Sequence, residues 1–239
     1  LNTNTTAVLH PRRRIYLMRH GSVDYFDEDG TPVAPDDVAL NAHGREQADA
    51  AGRLFRDAGI RFDRVVVSGL PRTVETAARV LQAAGLSDLP IDSDERLREI
   101  RSGRLADIPR DRLRAAFLGA FAGGADVESH RFLGGESVGE LLDRTLPAFD
   151  GLLADRGWSC LLLVLHGGVN RALLSRALAG RRAFFGGLEQ SPACINVLEA
   201  GDAEIVIRAT NLAPTQWLHE RERYTTMEKL LAQYLRLAP

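Results

Sequence analysis

Two histidines and two arginines are the residues best placed to do chemistry in this chain. Arg19-His20-Gly21 follows the apolar run Ile15 to Met18, and His166-Gly167-Gly168 follows CLLLVL at 160–165. Each histidine therefore stands where a predicted strand ends. Arg72 lies just past Gly69-Leu70-Pro71, the turn that follows the strand-like segment FDRVVVS. In an open parallel sheet, ligands bind beyond the carboxyl ends of the strands. The pattern thus brings two imidazoles and two guanidiniums toward one small space, where the N–H groups of the helix opening at Gly167 add affinity for an anion. A guanidinium grips two oxygens at once, and the occupant that these residue types fit is a phosphoryl group. Either histidine alone reads as an ordinary hydrogen-bonded residue at a strand end; their joint placement carries the argument.

The elements that must position them can be read from periodicity. RRRIYLM predicts the first strand. The apolar positions Ala48, Ala51, Phe55 and Ala58 predict a helix over 43–58 stopped at Gly59. Val74, Ala77, Ala78 and Leu81 mark a second helix, after FDRVVVS, ending near Gly85. Ser137 and Glu140 form a capping box opening a helix in which Pro147 predicts a kink. CLLLVL predicts a strand buried on both faces, followed by the helix VNRALLSRALAG. Further strands are expected near 195–198 and 205–208. A last helix, started by Thr225, carries the stripe Met227, Leu230, Leu231, Tyr234 and Leu235, to pack on the domain or on a second copy of the chain. Residues 101–135 have weak periodicity and predict irregular chain with one short helix around 113–121. The connection at 22–41 is rich in Asp, Gly and Pro and long for a compact domain, which predicts a functional loop over the site. The fold class expected is a three-layer α/β/α arrangement with a mostly parallel central sheet: a flexible arm over residues 1–11, then a single domain over 12–239.

Composition narrows the partners. The net charge of -2 gives no bulk attraction for nucleic acid or an acidic membrane surface, and no apolar run is long enough to span a bilayer. The polar and then basic opening stretch does not read as a signal peptide, which leads to the expectation of a cytoplasmic protein. All 30 basic residues but Lys229 are arginines, so arginine must carry anion binding, not a Walker-type lysine. Cys160 and Cys194 lack the spacing of a disulfide framework or a zinc site and are expected to be buried thiols. No metal and no cofactor is expected.

The segments IYLMRHG, LNAHGREQA, VVVSGLPRTVETA, ERLREIRSG, GGES and VLHGGVNRALL, in this order and spacing, resemble the histidine phosphatase superfamily, also called the phosphoglycerate mutase-like fold, over roughly residues 13–212. The resemblance implies that His20 is the nucleophile, that Arg19, Arg72, His166 and Gly167 form the phosphate pocket, and that Glu99 is the proton donor. Chemistry asks the same of these types. A neutral imidazole is a competent nucleophile near neutral pH without a metal. His20 must keep one ring nitrogen free while the other donates to a backbone carbonyl, expected in the loop after Gly21 or near Ser68. Arg19, Arg72 and His166 stabilise charge spread over the equatorial oxygens. Glu99 would protonate the leaving alkoxide and then activate water. Its neighbours Arg96, Arg98, Arg101 and Arg104 leave a surface ion-pair network as the alternative. Ser68 and Thr76 are read as shaping the turn, and Glu136 of GGES as a helix N-terminal residue favoured by the dipole.

Two departures bear on substrate. Ser22-Val23-Asp24-Tyr25-Phe26 follows RHG where the family places an acidic or amide residue and then Thr, and Arg104-Leu105-Ala106 stands in place of Trp-Glu-Gly. The acidic loop (Asp24, Asp27, Glu28, Asp29) should disfavour heavily anionic substrates. The expected ligand is a small phosphorylated substrate or inorganic phosphate. Three functions stay open: a phosphomonoester hydrolase, a phosphoglycerate mutase-like phosphoryl transferase, and a non-catalytic module that binds a phospho-ligand.

Overall fold

The computed structural model describes residues 11–27, 33–121, 124, 126–202, 204–220 and 222–237. The expected arm, apart from Pro11, and Glu28 and Asp29 of the acidic loop lie outside the described residues. Six strands form one sheet: β1 (Arg13–Arg19), β2 (Arg64–Val67), β3 (Asp92–Ser93), β4 (Cys160–Leu165), β5 (Ile195–Ala200) and β6 (Ile205–Leu212), in the order β3-β2-β4-β1-β5-β6. The pairs β3·β2, β2·β4 and β4·β1 are parallel, whereas β1·β5 and β5·β6 are antiparallel. The sheet is therefore mixed, with a parallel four-strand block that places β1 and β4 side by side.

Alternation along these two strands builds the layers. Ile15, Leu17, Leu161, Leu163 and Leu165 join one core cluster with α4 (Val138–Ala154) and α5 (Gly167–Ala179). Tyr16, Met18, Leu162 and Val164 point the other way, into a cluster with α1 (Ala42–Asp57) and α2 (Pro71–Ala84). Because β1 and β4 are covered on both faces they need no polar side, which is why CLLLVL carries none. Around the aromatic heart of the second cluster, Phe55 and Phe62 meet Tyr16 edge-on at 5.1 and 5.7 Å between ring centroids.

Local signals agree with these elements. α1 is capped by Asn41, whose side chain accepts from the Gly44 N–H at 2.8 Å, and α2 takes Pro71 at its first position and Gly85, at φ 72°, as its C-cap. The Ser137–Glu140 capping box is formed in both directions. α4 continues through Pro147 to Ala154 as one element, because Leu146, Ala148 and Phe149 anchor it in the core on either side of the missing N–H. Between residues 101 and 135 the chain forms α3 (Leu113–Leu118) and a string of single helical turns.

The last helix, α6 (Thr226–Leu237), lies on α3. Met227 and Leu231 are buried with Leu113, Phe117, Ala120 and Leu133, and Tyr234 stacks on Phe117 at 6.1 Å. Its apolar stripe from Met227 to Tyr234 thus packs on the chain's own α3 and its neighbours, while Leu235 stays exposed. Cys194 is buried as expected, but Cys160, the first residue of β4, is only half-buried. No described helix is long and apolar enough to cross a membrane.

Candidate active site

His20 continues directly from β1. Its N–H donates to the Leu165 carbonyl at 3.0 Å, and its own carbonyl accepts from Ala193 at 3.0 Å. His166 continues from β4, the parallel neighbour whose Leu165 is paired with Arg19. The two imidazoles leave the sheet from adjacent strands at the same level, and their ring centroids lie 5.3 Å apart. Sheet register, not local sequence, brings residues 146 positions apart together.

The hydrogen bonds of His20 select its tautomer. Nδ1 lies 2.7 Å from the Gly21 carbonyl, which can only accept, so Nδ1 carries the proton and Nε2 keeps the lone pair. His20 is 1 % exposed. Burial, together with the Arg19 and Arg72 guanidiniums, holds its pKa well below the ordinary histidine value. The imidazole is therefore neutral and nucleophilic at neutral pH. Of the two places expected to supply the orienting carbonyl, the structure uses Gly21 itself. Thr76 holds this turn in place: its hydroxyl accepts from the Gly21 N–H at 3.1 Å while donating to the Arg72 carbonyl at 2.6 Å.

Ser68 serves the second histidine instead. The Thr73 hydroxyl donates to the Leu70 carbonyl at 2.8 Å, so it has only acceptor capacity left for Ser68 Oγ at 3.1 Å. Ser68 then spends its proton on Thr73 and accepts from His166 Nε2 at 2.7 Å. This chain of donors places the His166 proton on Nε2. His166 is fully buried, and burial, Arg72, His20 and Arg19 hold its pKa well below the ordinary value. Its Nδ1 is buried with no hydrogen-bond partner among the described residues, as are Arg19 Nε and Arg72 Nε. Ser68 thus orients the His166 ring and Thr76 the turn after His20, beyond the turn-shaping role read from the sequence.

The arginines are fixed from outside the pocket. Arg72, in the first turn of α2 and 2 % exposed, donates from Nη1 to the Pro35 carbonyl at 2.6 Å, tying the long connection to the phosphate site. Arg19, 6 % exposed, donates from Nη1 to the Gln190 carbonyl at 2.6 Å and to Thr226 Oγ1 at 3.0 Å. Gln190 is itself locked, with Nε2 donating to Asn196 Oδ1 and Oε1 accepting from Asn170 and Asn196. Gly167, the first residue of α5, lies against these cations: a Cβ there would sit 3.7 Å from Arg19 Nε and 3.2 Å from Arg171 Nη1.

Glu99 lies part-buried at the same helix start. Both its carboxylate oxygens accept from the Gly168 N–H at 3.1 Å, and Oε1 also takes the Ile100 N–H at 2.9 Å. Three of the four surrounding arginines have other partners: Arg96 binds Asp94, Arg98 binds Glu95 and Arg101 binds Glu136. The segment is clamped from behind by Arg144 of α4, which donates to the carbonyls of Arg96, Arg98 and Glu99 at 2.8, 2.6 and 3.0 Å. Arg144 meets the buried Glu136 through two parallel bonds of 2.7 and 2.8 Å, and Glu136 also takes the Arg101 N–H at 2.9 Å. Burial pushes the Glu136 carboxyl up, but Arg144 and Arg101 outweigh it and leave it below the usual range. Glu136 therefore works through this ion pair, where the sequence suggested a dipole effect at the start of α4. Arg144, eight residues along, carries no signal in one dimension; GGES is the only pointer to the pair. A cavity of about 930 Å³ opens between α3, α6 and the loop after His20, with Asp24, Arg114, Leu118, Tyr224, Lys229 and Leu231 among its walls.

Comparison with known proteins places the chain in a family. The model of the histidine phosphatase superfamily (branch 1) matches residues 15–213. The chain belongs to this superfamily. Among curated relatives, the 2,3-bisphosphoglycerate-dependent phosphoglycerate mutase of Methylobacterium radiotolerans is 33% identical over 168 residues, covering 68% of this chain and 77% of the relative. Among solved structures, a mycobacterial glucosyl-3-phosphoglycerate phosphatase in complex with inorganic phosphate is 25% identical, with a TM-score of 0.65 over 84% of this chain and 98% of the other. The alpha-ribazole phosphatase of Shigella flexneri is 25% identical, with a TM-score of 0.60 over 83% and 96%. Histidine phosphatase superfamily neighbours of this chain thus include both phosphatases and phosphoglycerate mutases. The three-layer α/β architecture agrees with theirs.

Proposed function

We propose that this protein is a metal-independent phosphomonoester hydrolase that works through a phosphohistidine on His20. The observation that carries the reading is the His20 tautomer: Nδ1–H is committed to the Gly21 carbonyl, which leaves a neutral Nε2 lone pair between two buried arginines. In the first step Nε2 forms a bond to phosphorus as the ester P–O bond breaks. Arg19, Arg72 and the N–H groups at the start of α5 take up the charge on the equatorial oxygens, and His166 joins them once the bound anion brings a proton to its Nδ1, unpartnered among the described residues. Glu99, at that same helix start, gives its proton to the leaving alkoxide. In the second step the Glu99 carboxylate removes a proton from water, the water oxygen bonds to phosphorus, the P–N bond breaks, and inorganic phosphate leaves. The substrate is read as a small, partly apolar phosphomonoester, whose leaving group meets residues 22–40 and 101–135.

Phosphoglycerate mutase-like transfer is the second reading, favoured by the 33% identical mutase relative. A mutase must keep its phosphohistidine from water and carries a longer insertion after the acid, with more cationic groups around a second anionic group of the substrate. The short stretch at 101–135 and the acidic Asp24 in the cavity wall favour hydrolysis.

The test is phosphate release from 4-nitrophenyl phosphate with EDTA present. The wild type is expected to turn over, and His20→Ala to lose about 10⁴-fold or more. Glu99→Ala should lose less on this substrate than on an alkyl phosphate, because an aryl leaving group needs little protonation. Wild-type inactivity, or full activity in His20→Ala, would refute the reading. Transfer between phosphoglycerates outpacing release of inorganic phosphate would favour the mutase.

A further inference from the structure

The family match ends at residue 213, yet the helix beyond it reaches back into the phosphate site. Thr225 and Glu228 cap α6 reciprocally, at 2.7 and 3.2 Å, which fixes where the helix begins. Thr226 is its first residue, and its hydroxyl is used twice. It accepts from Arg19 Nη1 at 3.0 Å and donates to Glu189 Oε1 at 2.8 Å, while the Thr226 N–H donates to the same oxygen at 3.2 Å. The other oxygen of Glu189 takes Arg171 Nη2 at 2.6 Å. Burial pushes the Glu189 carboxyl up, but Arg171 and the two Thr226 donors leave it below the usual range, so it stays an anion between two buried cations.

Both protons of Arg19 Nη1 are consumed in this arrangement, one by the Gln190 carbonyl and one by Thr226. Two fixed points on one nitrogen stop the guanidinium from turning about its stem. The edge left over includes Nε, which is buried without a partner and lies 3.7 Å from where a side chain on Gly167 would begin. That is the edge an anion at the start of α5 would use.

We propose that Thr226, backed by Glu189, is a positioning residue for Arg19, so that the chain beyond the family-matched span completes the phosphate site. Here a single hydroxyl oxygen accepts from the arginine and donates to the carboxylate at once. Valine keeps the shape and loses both bonds; serine keeps both. The inference takes the phosphoryl ligand from the reading above and is tested apart from turnover, by calorimetric titration with inorganic phosphate alongside kcat and KM for 4-nitrophenyl phosphate.

Thr226→Val should weaken phosphate binding and raise KM by about tenfold, the scale of a charge-assisted hydrogen bond. Thr226→Ser should stay within about twofold of wild type, and Thr226→Ala, which removes the hydroxyl and the methyl together, should match Thr226→Val. Thermal melting of each variant accompanies the titration. Unchanged phosphate affinity in Thr226→Val overturns the proposal, as does an equal loss in Thr226→Ser, since packing would then be the cause. A wild type that binds phosphate but hydrolyses nothing refutes the hydrolase and leaves this proposal standing; one that binds no phosphate refutes this proposal.

Discussion

Around His20 the histidines, Arg19, Arg72 and Ser68 hang from the end of a strand or the first turn of a helix, whereas residues 101–135 contribute α3 and single helical turns among the described residues. The pocket is polar and buried. His20, Ser68, Arg72, Thr76 and His166 are all at most 2 % exposed, and each has a named partner. The cavity between α3 and α6, by contrast, has exposed residues such as Asp24, Arg114 and Leu118 in its walls. On the proposed reading, chemistry that must place a phosphoryl group to within a fraction of an ångström sits on the stiff part, and recognition of what the phosphate is attached to falls to surface chain that can be rebuilt without disturbing the sheet.

The sharpest way to break this contrast is to loosen a stiff part from a distance. Arg144 touches neither histidine, but it pins three carbonyls of the Glu99 segment. Arg144→Met should lower kcat for an alkyl phosphate by about a hundredfold, the scale of lost general-acid alignment, and by much less for an aryl phosphate. Equal losses on both substrates would mean that Glu99 is not what Arg144 holds.

A second effect, up to about tenfold per pH unit in the folding equilibrium for each histidine, follows from burying two neutral imidazoles. The folded-state pKa values of His20 and His166 are depressed, whereas the unfolded chain takes up these protons near pH 6.5. The unfolded state then binds more protons, so stability is full above about pH 6.5 and declines as pH falls, by up to about 1.4 kcal/mol per unit for each histidine. Melting temperatures between pH 7.5 and 5 should show this slope, and the double variant His20→Gln with His166→Gln should flatten it. An unchanged slope in that variant would place the proton uptake elsewhere.

The smallest effect is expected on the soft side. Arg114→Ala should alter KM a few-fold, in a substrate-dependent way, and leave kcat for 4-nitrophenyl phosphate unchanged. A large fall in kcat there would erase the distinction between the two regions.

The same contrast explains what the sequence makes legible. Strand ends and helix starts announce themselves by periodicity and capping residues, so the positions of His20, Arg72 and His166 can be read from the chain alone. Their partners cannot. Ser68 pairs with a residue 98 positions away and Thr226 with one 207 away, and no local pattern encodes such pairings. Thr76 and Glu136 do lie in recognisable segments, but their local roles, turn and helix start, mask their tertiary ones. Pro147 removes one helical hydrogen bond, yet α4 runs on as one element with Leu146, Ala148 and Phe149 in the core. The mixed character of the sheet arises from β5 and β6, whose antiparallel pairing depends on how the chain returns rather than on the residues within them.

The parallel pairing of β1 with β4 also acts as a ruler. His20 and His166 each sit one residue past the matched pair Arg19 and Leu165, so the gap between their backbones is the inter-strand spacing, about 4.8 Å, set by backbone hydrogen bonds. Side-chain substitutions can remove a group from this ruler but cannot stretch it. A slip of one residue would turn both imidazoles toward opposite layers. Catalytic geometry in this molecule should therefore be inherited whole or lost whole, with heat inactivation following cooperative melting of the sheet and no gradual decline before it.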